Sequence, residues 1–123
     1  MYRIVLVVGS GGFIGSVARY LTQQVISKYN TGVYPLGTFF ANILGCLCIG
    51  LVYGFSEKGN WLSSEWRFFL ATGICGGYTT FSAFSYESII LLKSENYSVL
   101  FLYIVLSVSL GIAATFLGVF LTK

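Results

Sequence analysis

Histidine is absent from the sequence, and the acidic residues are four glutamates without a single aspartate. Histidine is the commonest metal ligand and general base of proteins, so most catalytic sites lose their principal component here. Glu87 is the only glutamate inside a long apolar segment, which leaves no acidic pair for catalysis. We therefore predict that the chain is not an enzyme.

Charged residues are also scarce, at 9% of the chain, whereas a soluble domain carries roughly 25%. Hydrophobic residues make up 56% of the sequence, and its mean hydropathy is +0.83. The net charge of +3 is spread over the ends of the apolar segments, which excludes the basic patch of a nucleic-acid-binding protein. This composition predicts an integral membrane protein.

Four apolar segments alternate with short polar connections, at about residues 4–26, 36–56, 67–92 and 97–121. Each reaches or exceeds the ~20 residues that a helix needs to cross the hydrocarbon core. Residues 1–123 are therefore predicted to form one all-α domain of four transmembrane helices. Aromatic residues near the segment ends are typical of a membrane-interface belt: Tyr2, Tyr34, Trp61, Trp66 and Tyr97.

The first segment also shares features with a cleaved signal peptide, because Arg3 precedes an apolar stretch. Arg19 and the pair Gln23-Gln24 do not fit the small-residue cleavage pattern, so we interpret the segment as a membrane helix.

Three cysteines lie inside predicted spans, at Cys46, Cys48 and Cys75. Cys46 and Cys48 are two residues apart and point to different faces of a helix, whereas a disulfide or metal site needs better spacing. We interpret the cysteines as small packing residues.

Lysine and arginine give a weak orientation signal. Arg3, Lys58, Arg67 and Lys123 lie with the termini, whereas Lys28 and Lys93 lie on the opposite side, toward which Arg19 reaches. Orientation follows the excess of these residues in short loops, so four against two or three specifies it poorly. Either the balance is accidental, or the chain inserts both ways and pairs with an inverted copy, which would imitate the inverted repeats of transporters.

The third segment is a poor helix near its middle, over residues 73–85. Its adjacent glycines, Gly76 and Gly77, lose backbone entropy, and the β-branched Thr79 and Thr80 lose rotamer freedom. If the helix unwinds at 76–79, freed carbonyl oxygens suit a hard cation such as Na⁺. The alternative is a simple kink or a close-packing glycine pair.

Aromatic residues of the third segment and polar residues of the second and fourth offer a path for an anion. Phe81 and Phe84 share a helix face, and the positive edges of their rings can contact an anion while excluding water. Asn42 and Thr38 form a polar stripe on the second span, and Tyr103 and Ser107 form another on the fourth. Each set also has a simpler interpretation as interhelical packing.

Arg19 either extends to the membrane interface or forms an electropositive vestibule. Glu87 lies one or two turns beyond the phenylalanines, and its role stays open: it could pair with a hydroxyl, be protonated, or lie outside the path.

Three blocks of the sequence stand out: Gly11 to Tyr20 (GGFIGSVARY), Pro35 to Gly45 (PLGTFFANILG) and Gly73 to Glu87 (GICGGYTTFSAFSYE). Together they resemble the signature blocks of the Fluc (CrcB-type) fluoride channels. The blocks occur in order along the whole chain, and the third is highly specific.

This resemblance implies an antiparallel homodimer with dual topology in the bacterial inner membrane, where it would export cytoplasmic fluoride passively. It implies two fluoride pores and a structural Na⁺ at the dimer centre, bound by the backbone carbonyls of Gly76 and Thr79 of each copy. The implied pore residues are Asn42, Phe81, Phe84, Ser82, Tyr103, Ser107, Glu87, Thr38 and Arg19.

Two positions depart from the family pattern, because Ala83 and Gly111 stand where a hydroxyl often lies.

Two other functions are alternatives to a fluoride channel. A small proton-coupled multidrug exporter would need an acid inside the membrane, and Glu87 is the one candidate. A non-transporting subunit of a larger assembly is the other.

Overall fold

The structure is a computed structural model that describes residues 1–59 and 63–123, so the predicted interfacial Trp61 lies outside the described residues. Three long helices occur in these ranges: α1 (Tyr2–Tyr29), α2 (Leu36–Glu57) and α6 (Tyr97–Leu121). Each is long and apolar enough to cross a membrane. They correspond to the first, second and fourth predicted spans, and α1 extends beyond the predicted 4–26 at both ends.

The third span is divided into pieces. It begins with α3 (Ser64–Arg67), continues as a π-helical segment (Phe68–Cys75) and then as α4 (Gly76–Tyr78), and resumes as α5 (Phe81–Lys93). Between the pieces, Thr79 (φ −87°, ψ 156°) and Thr80 (φ −151°, ψ 120°) are extended. We call Thr79-Thr80 the break.

The predicted interruption of the third helix is therefore present, but its position differs. Gly76 remains helical, with φ −62° and ψ −38°, and it opens α4. The two threonines interrupt the helix instead, because the Thr80 hydroxyl accepts a hydrogen bond from the Ala83 N–H and so begins α5 as its N-cap. The expected range of 76–79 is therefore correct at Thr79 and wrong at the two glycines, which stay helical.

Burial in this fold is the reverse of burial in a soluble protein. The largest fully buried side chains in the described ranges are Tyr103 and Thr38, whereas Phe13 and Phe116 are 71% and 70% exposed. Lipid solvates large apolar side chains and leaves polar ones unpaired, so polar groups turn inward. The described part of the chain is built for a membrane.

Glycines allow the helices to pack at backbone distance. On α1, a side chain at Gly15 would collide with the Ile74 carbonyl of the π segment. Where α2 meets α6, a side chain at Gly118 would lie 2.5 Å from the Leu47 carbonyl oxygen. These contacts hold α1 against the first half of the third span and α6 against α2, and they fix the walls around the break.

Candidate functional site

Asn42 clamps the break to α2. Its Nδ2 donates to the Thr80 carbonyl oxygen at 3.1 Å, and its Oδ1 accepts from the Thr80 N–H at 2.8 Å. Both backbone groups of one extended residue are thus paired by a single amide side chain. The partner of Asn42 is therefore the backbone of the break.

The break deprives two carbonyl groups of their helical donors. In an unbroken helix the Thr80 N–H would donate to the Gly76 carbonyl, but here it donates to Asn42. The Ala83 N–H would likewise donate to the Thr79 carbonyl, but here it donates to the Thr80 hydroxyl. Gly76 is exposed on the surface of this chain. The break therefore leaves the Gly76 and Thr79 carbonyls without their usual partners.

Arg19 lies beside the break. Its Nε donates to the Gly77 carbonyl oxygen at 3.3 Å, from a half-buried position on α1. Gly77 belongs to the last helical turn before the break, and a cation stabilises the negative end of a helix. In the structure, Arg19 thus contacts the third span.

An open groove of about 320 Å³ lies along the break. Its lining combines hydroxyl and amide groups with aromatic rings and small side chains: Asn42, Gly45, Cys46, Ile49, Thr79, Thr80, Phe81, Phe84, Ser107 and Val108. Gly45 is required here, because a side chain at that position would collide with Thr79. The groove offers polar hydrogen bonding inside an otherwise apolar surface.

Aromatic rings continue from the groove into the bundle. The ring centroids of Phe81 and Phe84 are 5.7 Å apart, and those of Phe84 and Tyr103 are 4.9 Å apart. Tyr34 then packs edge-on against Tyr103 at 5.4 Å. The row runs from Phe81, which is 78% exposed, to Tyr103, which is 0% exposed.

Glu87 lies at the buried end of this row, where both carboxylate oxygens accept hydrogen bonds. Tyr103 Oη donates to Oε1 at 2.9 Å, and Thr38 Oγ1 donates to Oε2 at 2.9 Å. Gln23 Nε2 in turn donates to Thr38 Oγ1 at 3.0 Å. The four residues form a chain of hydrogen bonds across α1, α2, α5 and α6, and we call it the Glu87 network.

Two hydroxyls in the described residues are buried without a hydrogen-bond partner: Ser107 Oγ and Tyr34 Oη. Ser107 is one turn from Tyr103 on α6 and lines the groove. Tyr34 lies in the connection between α1 and α2, where burial raises its pKa above the ordinary value of 10.0. The Tyr34 hydroxyl is therefore a neutral donor throughout the physiological range.

Comparison with known proteins identifies the family. The pattern of the family described as CrcB-like protein, Camphor Resistance (CrcB), matches residues 6–119. A protein of Flavobacterium psychrophilum named fluoride-specific ion channel FluC is 52% identical over 121 residues, which are 98% of this chain and 98% of that protein. The chain belongs to the CrcB family. Proteins with the same name from Azobacteroides pseudotrichonymphae and Phocaeicola vulgatus are 43% and 44% identical and cover 100% and 98% of this chain, and 98% and 99% of their own lengths.

Membership of the CrcB family agrees with the apolar helices described above. The chain is a multi-pass bacterial membrane protein. Its relatives are named as ion channels, so the family moves ions and does not catalyse a reaction.

The structure of this CrcB-family chain brings most of the predicted site residues into two adjoining groups. Asn42, Phe81, Phe84 and Ser107 line the groove. Thr38, Glu87 and Tyr103 form the hydrogen-bonded group behind it, and Tyr103 reaches Phe84. Two predicted residues neither line the groove nor join the hydrogen-bonded group behind it. Ser82 is exposed, with its hydroxyl 3.2 Å from that of Thr80, and Arg19 bonds to the Gly77 carbonyl.

Sequence reasoning missed two residues of this site. Thr80 was not recognised as an N-cap, although a threonine three residues before the Ala83 N–H is a recognisable one. Gln23 was considered only for its effect on signal-peptide cleavage. A glutamine inside an apolar span should have prompted a search for a buried partner.

Proposed function

We propose that the chain is a fluoride-selective ion channel that releases cytoplasmic fluoride passively across the membrane. One observation carries the proposal: a row of aromatic rings leads from an open groove, which the unpaired Ser107 hydroxyl also lines, to the buried ring of Tyr103. Ring edges and hydroxyl groups together can replace the water around a small anion. Relatives at 42–52% identity named fluoride-specific ion channels support the choice of fluoride.

The direction of flow follows from the membrane potential. An anion leaves the cytoplasm favourably when the inside is negative, by about 2.3 kcal/mol per charge for each 100 mV. No coupled reaction is needed for export.

We further propose that two inverted copies pair across the face that carries the break. Phe81 is 78% exposed and lines the open groove, and Gly76, in the turn before the break, is exposed as well. An inverted partner would close the groove, and the weak charge bias of the loops permits both insertions. Each copy would then contribute one groove, which gives two pores.

A structural Na⁺ at the centre of that dimer is also proposed. The donor set fits, because the Gly76 and Thr79 carbonyls lack their usual helical donors and are hard oxygen ligands. When bound, the ion would supply positive charge to both breaks and hold them together. The chain's own contribution is to present these carbonyls, through the Asn42 clamp and the Thr80 N-cap.

Fluoride efflux from liposomes tests the proposed function. Purified protein is reconstituted in liposomes loaded with potassium fluoride, valinomycin is added, and external fluoride is read with an electrode. Chloride-loaded liposomes are the control. We expect rapid release of fluoride without chloride, whereas a folded protein that releases no fluoride would overturn the proposal.

A proton-coupled exporter of lipophilic cations remains the second candidate, because Glu87 is an acid inside the third span. The hydrogen bonds to both carboxylate oxygens favour a structural role over proton exchange. If the protein exports a lipophilic cation in exchange for protons, and Glu87→Gln abolishes this export, the exporter is favoured.

A third alternative is a non-transporting subunit of a larger assembly. Fluoride release by the purified protein alone would exclude it.

A further inference from the structure

We propose that Gln23 is a positioning residue that fixes Glu87 and Tyr103 beside the fluoride path, acting through the hydroxyl of Thr38. The inference rests on the proposed function. It concerns a residue of α1, the helix from which Arg19 also contacts the third span.

The Thr38 hydroxyl has one hydrogen to donate and two lone pairs to accept with. Gln23 Nε2 donates to it at 3.0 Å, and Thr38 donates its own hydrogen to Glu87 Oε2 at 2.9 Å. Thr38 is only 1% exposed, so water cannot replace either partner. The Gln23 amide therefore determines which way the Thr38 hydroxyl points.

Without Gln23, the Thr38 hydroxyl has a competing acceptor. The Tyr103 hydroxyl oxygen also lies within interaction range of the Thr38 hydroxyl, so a hydroxyl that Gln23 no longer orients can turn its hydrogen to Tyr103. Glu87 would then lose the donor at Oε2 and keep only Tyr103 at Oε1. A carboxylate held at one oxygen can rotate, and it carries Tyr103 and the adjoining Phe84 ring with it.

The backbone supports this role for Gln23. A Cβ at Gly37 would lie 3.2 Å from Gln23 Cγ and 3.4 Å from Gln23 Cα. The absence of a side chain at Gly37 thus lets the stem of Gln23 lie directly on α2, one residue before Thr38. The arrangement places the amide beside the Thr38 hydroxyl without an extended, mobile side chain.

A double-mutant cycle on fluoride efflux tests the inference, with Gln23→Leu, Thr38→Val and the double variant in liposomes. The effect of one lost hydrogen bond is about three- to tenfold, so Gln23→Leu should slow efflux by that factor. If Gln23 acts through Thr38, the double variant should be no slower than Thr38→Val alone. In a Thr38→Ser background, which keeps the hydroxyl, Gln23→Leu should slow efflux again.

Gln24→Leu is the matched control, because Gln24 is the exposed neighbour on the same helix. It should release fluoride at the wild-type rate. Wild-type efflux from Gln23→Leu would overturn the inference, and so would an equal loss in the Thr38→Val background.

A second readout does not depend on transport. The carboxylate stretching band of Glu87, assigned by its loss in Glu87→Gln, should shift in Gln23→Leu and stay in place in Gln24→Leu. An unshifted band in folded Gln23→Leu would refute the positioning role. A wild-type protein that releases no fluoride would instead overturn the proposed function, so the two failures are distinguishable.

Discussion

At the scale of single residues, the site depends on side chains that complete backbone hydrogen bonding. Asn42 gives Thr80 the two bonds that a continuous helix would have supplied, and the Thr80 hydroxyl gives Ala83 a third. A membrane interior has no water to provide them. The geometry of the break is therefore specified by a few polar atoms.

The first prediction concerns the clamp. Asn42→Ala leaves the Thr80 N–H and carbonyl unpaired, and each unpaired buried group costs about 1–3 kcal/mol of unfolding free energy. We expect a clear loss of stability in denaturant unfolding of the reconstituted protein. Asn96→Ala is the control, since the Asn96 amide bonds only an exposed serine hydroxyl and its loss should cost less than about 0.5 kcal/mol. Equal losses in the two variants would contradict the clamp.

The second prediction concerns pH. Burial raises the pKa of the Tyr34 hydroxyl in the folded state above the ordinary 10.0, so this group leaves stability independent of pH below pH 10 and lowers it as the pH rises from 10 through the folded value. Tyr34→Phe should flatten this alkaline decline in the unfolding free energy. Below pH 10 it should leave stability unchanged or raised, because the hydroxyl has no partner in the fold.

Tyr29→Phe serves as the control for the pH series, since Tyr29 is 82% exposed. Its alkaline decline should match that of the wild type. If Tyr34→Phe leaves the alkaline decline in the unfolding free energy unchanged, burial does not raise the pKa of the Tyr34 hydroxyl in the folded state.

At the scale of elements, the third span owes its shape to three departures from a regular helix: the π-helical segment, the short α4 and the break. Close backbone packing against α1 holds its first half in place. Gly15 of α1 faces the Ile74 carbonyl, and Gly77 faces the backbone of Gly12, whose carbonyl oxygen would lie 2.6 Å from an added Cβ.

The third prediction compares two glycines on α1. Gly15→Ala would drive its methyl group into the Ile74 carbonyl, whereas a methyl group at Gly12 meets no atom within 4 Å. We expect Gly15→Ala to destabilise the protein by about 1–3 kcal/mol and Gly12→Ala to be neutral or slightly stabilising. Thermal unfolding in detergent measures both. Similar midpoints for the two variants would show that α1 does not pack as described.

The sequence predicts the positions of the helices better than the contacts between them. Hydropathy located α6 at 97–121, because an uninterrupted apolar run leaves few alternatives. The break lies at Thr79-Thr80, whereas the expected range was 76–79. Besides the local Thr80 N-cap, it depends on the bond from Asn42, which lies 38 residues away from Thr80 in sequence. The partner of Gln23 was equally inaccessible, since it depends on how α1 crosses α2.

At the scale of the whole molecule, the region around the break is incompletely covered in a single copy. The groove, the exposed Gly76 and the 78% exposed Phe81 lie along the break. Freed carbonyls would face lipid there unless another surface covered them. The proposed inverted dimer satisfies that requirement.

The fourth prediction tests pairing separately from folding. At Gly76 an added Cβ would meet only the Ala71 carbonyl oxygen, at an ordinary 3.7 Å, so Gly76→Leu should preserve the fold of each copy. Its side chain would project from the face proposed for the partner, and we expect a large drop in the dimer fraction. Single-molecule subunit counting in bilayers measures that fraction.

The control for pairing is Gly9→Leu, which adds the same side chain to open space on α1. Its dimer fraction should remain at the wild-type level. An unchanged dimer fraction in Gly76→Leu would place the interface elsewhere.

The Asn42 clamp also has a consequence for biosynthesis. Thr80 cannot pair its backbone until α2 lies beside it, so the third span would enter the bilayer with unpaired groups if it arrived first. The ribosome makes α2 before the third span, and the amide is therefore already in the membrane when the threonines emerge. A circular permutant that begins between α2 and α3 would reverse this order of arrival, and its newly inserted third span would be left for quality-control proteases to recognise.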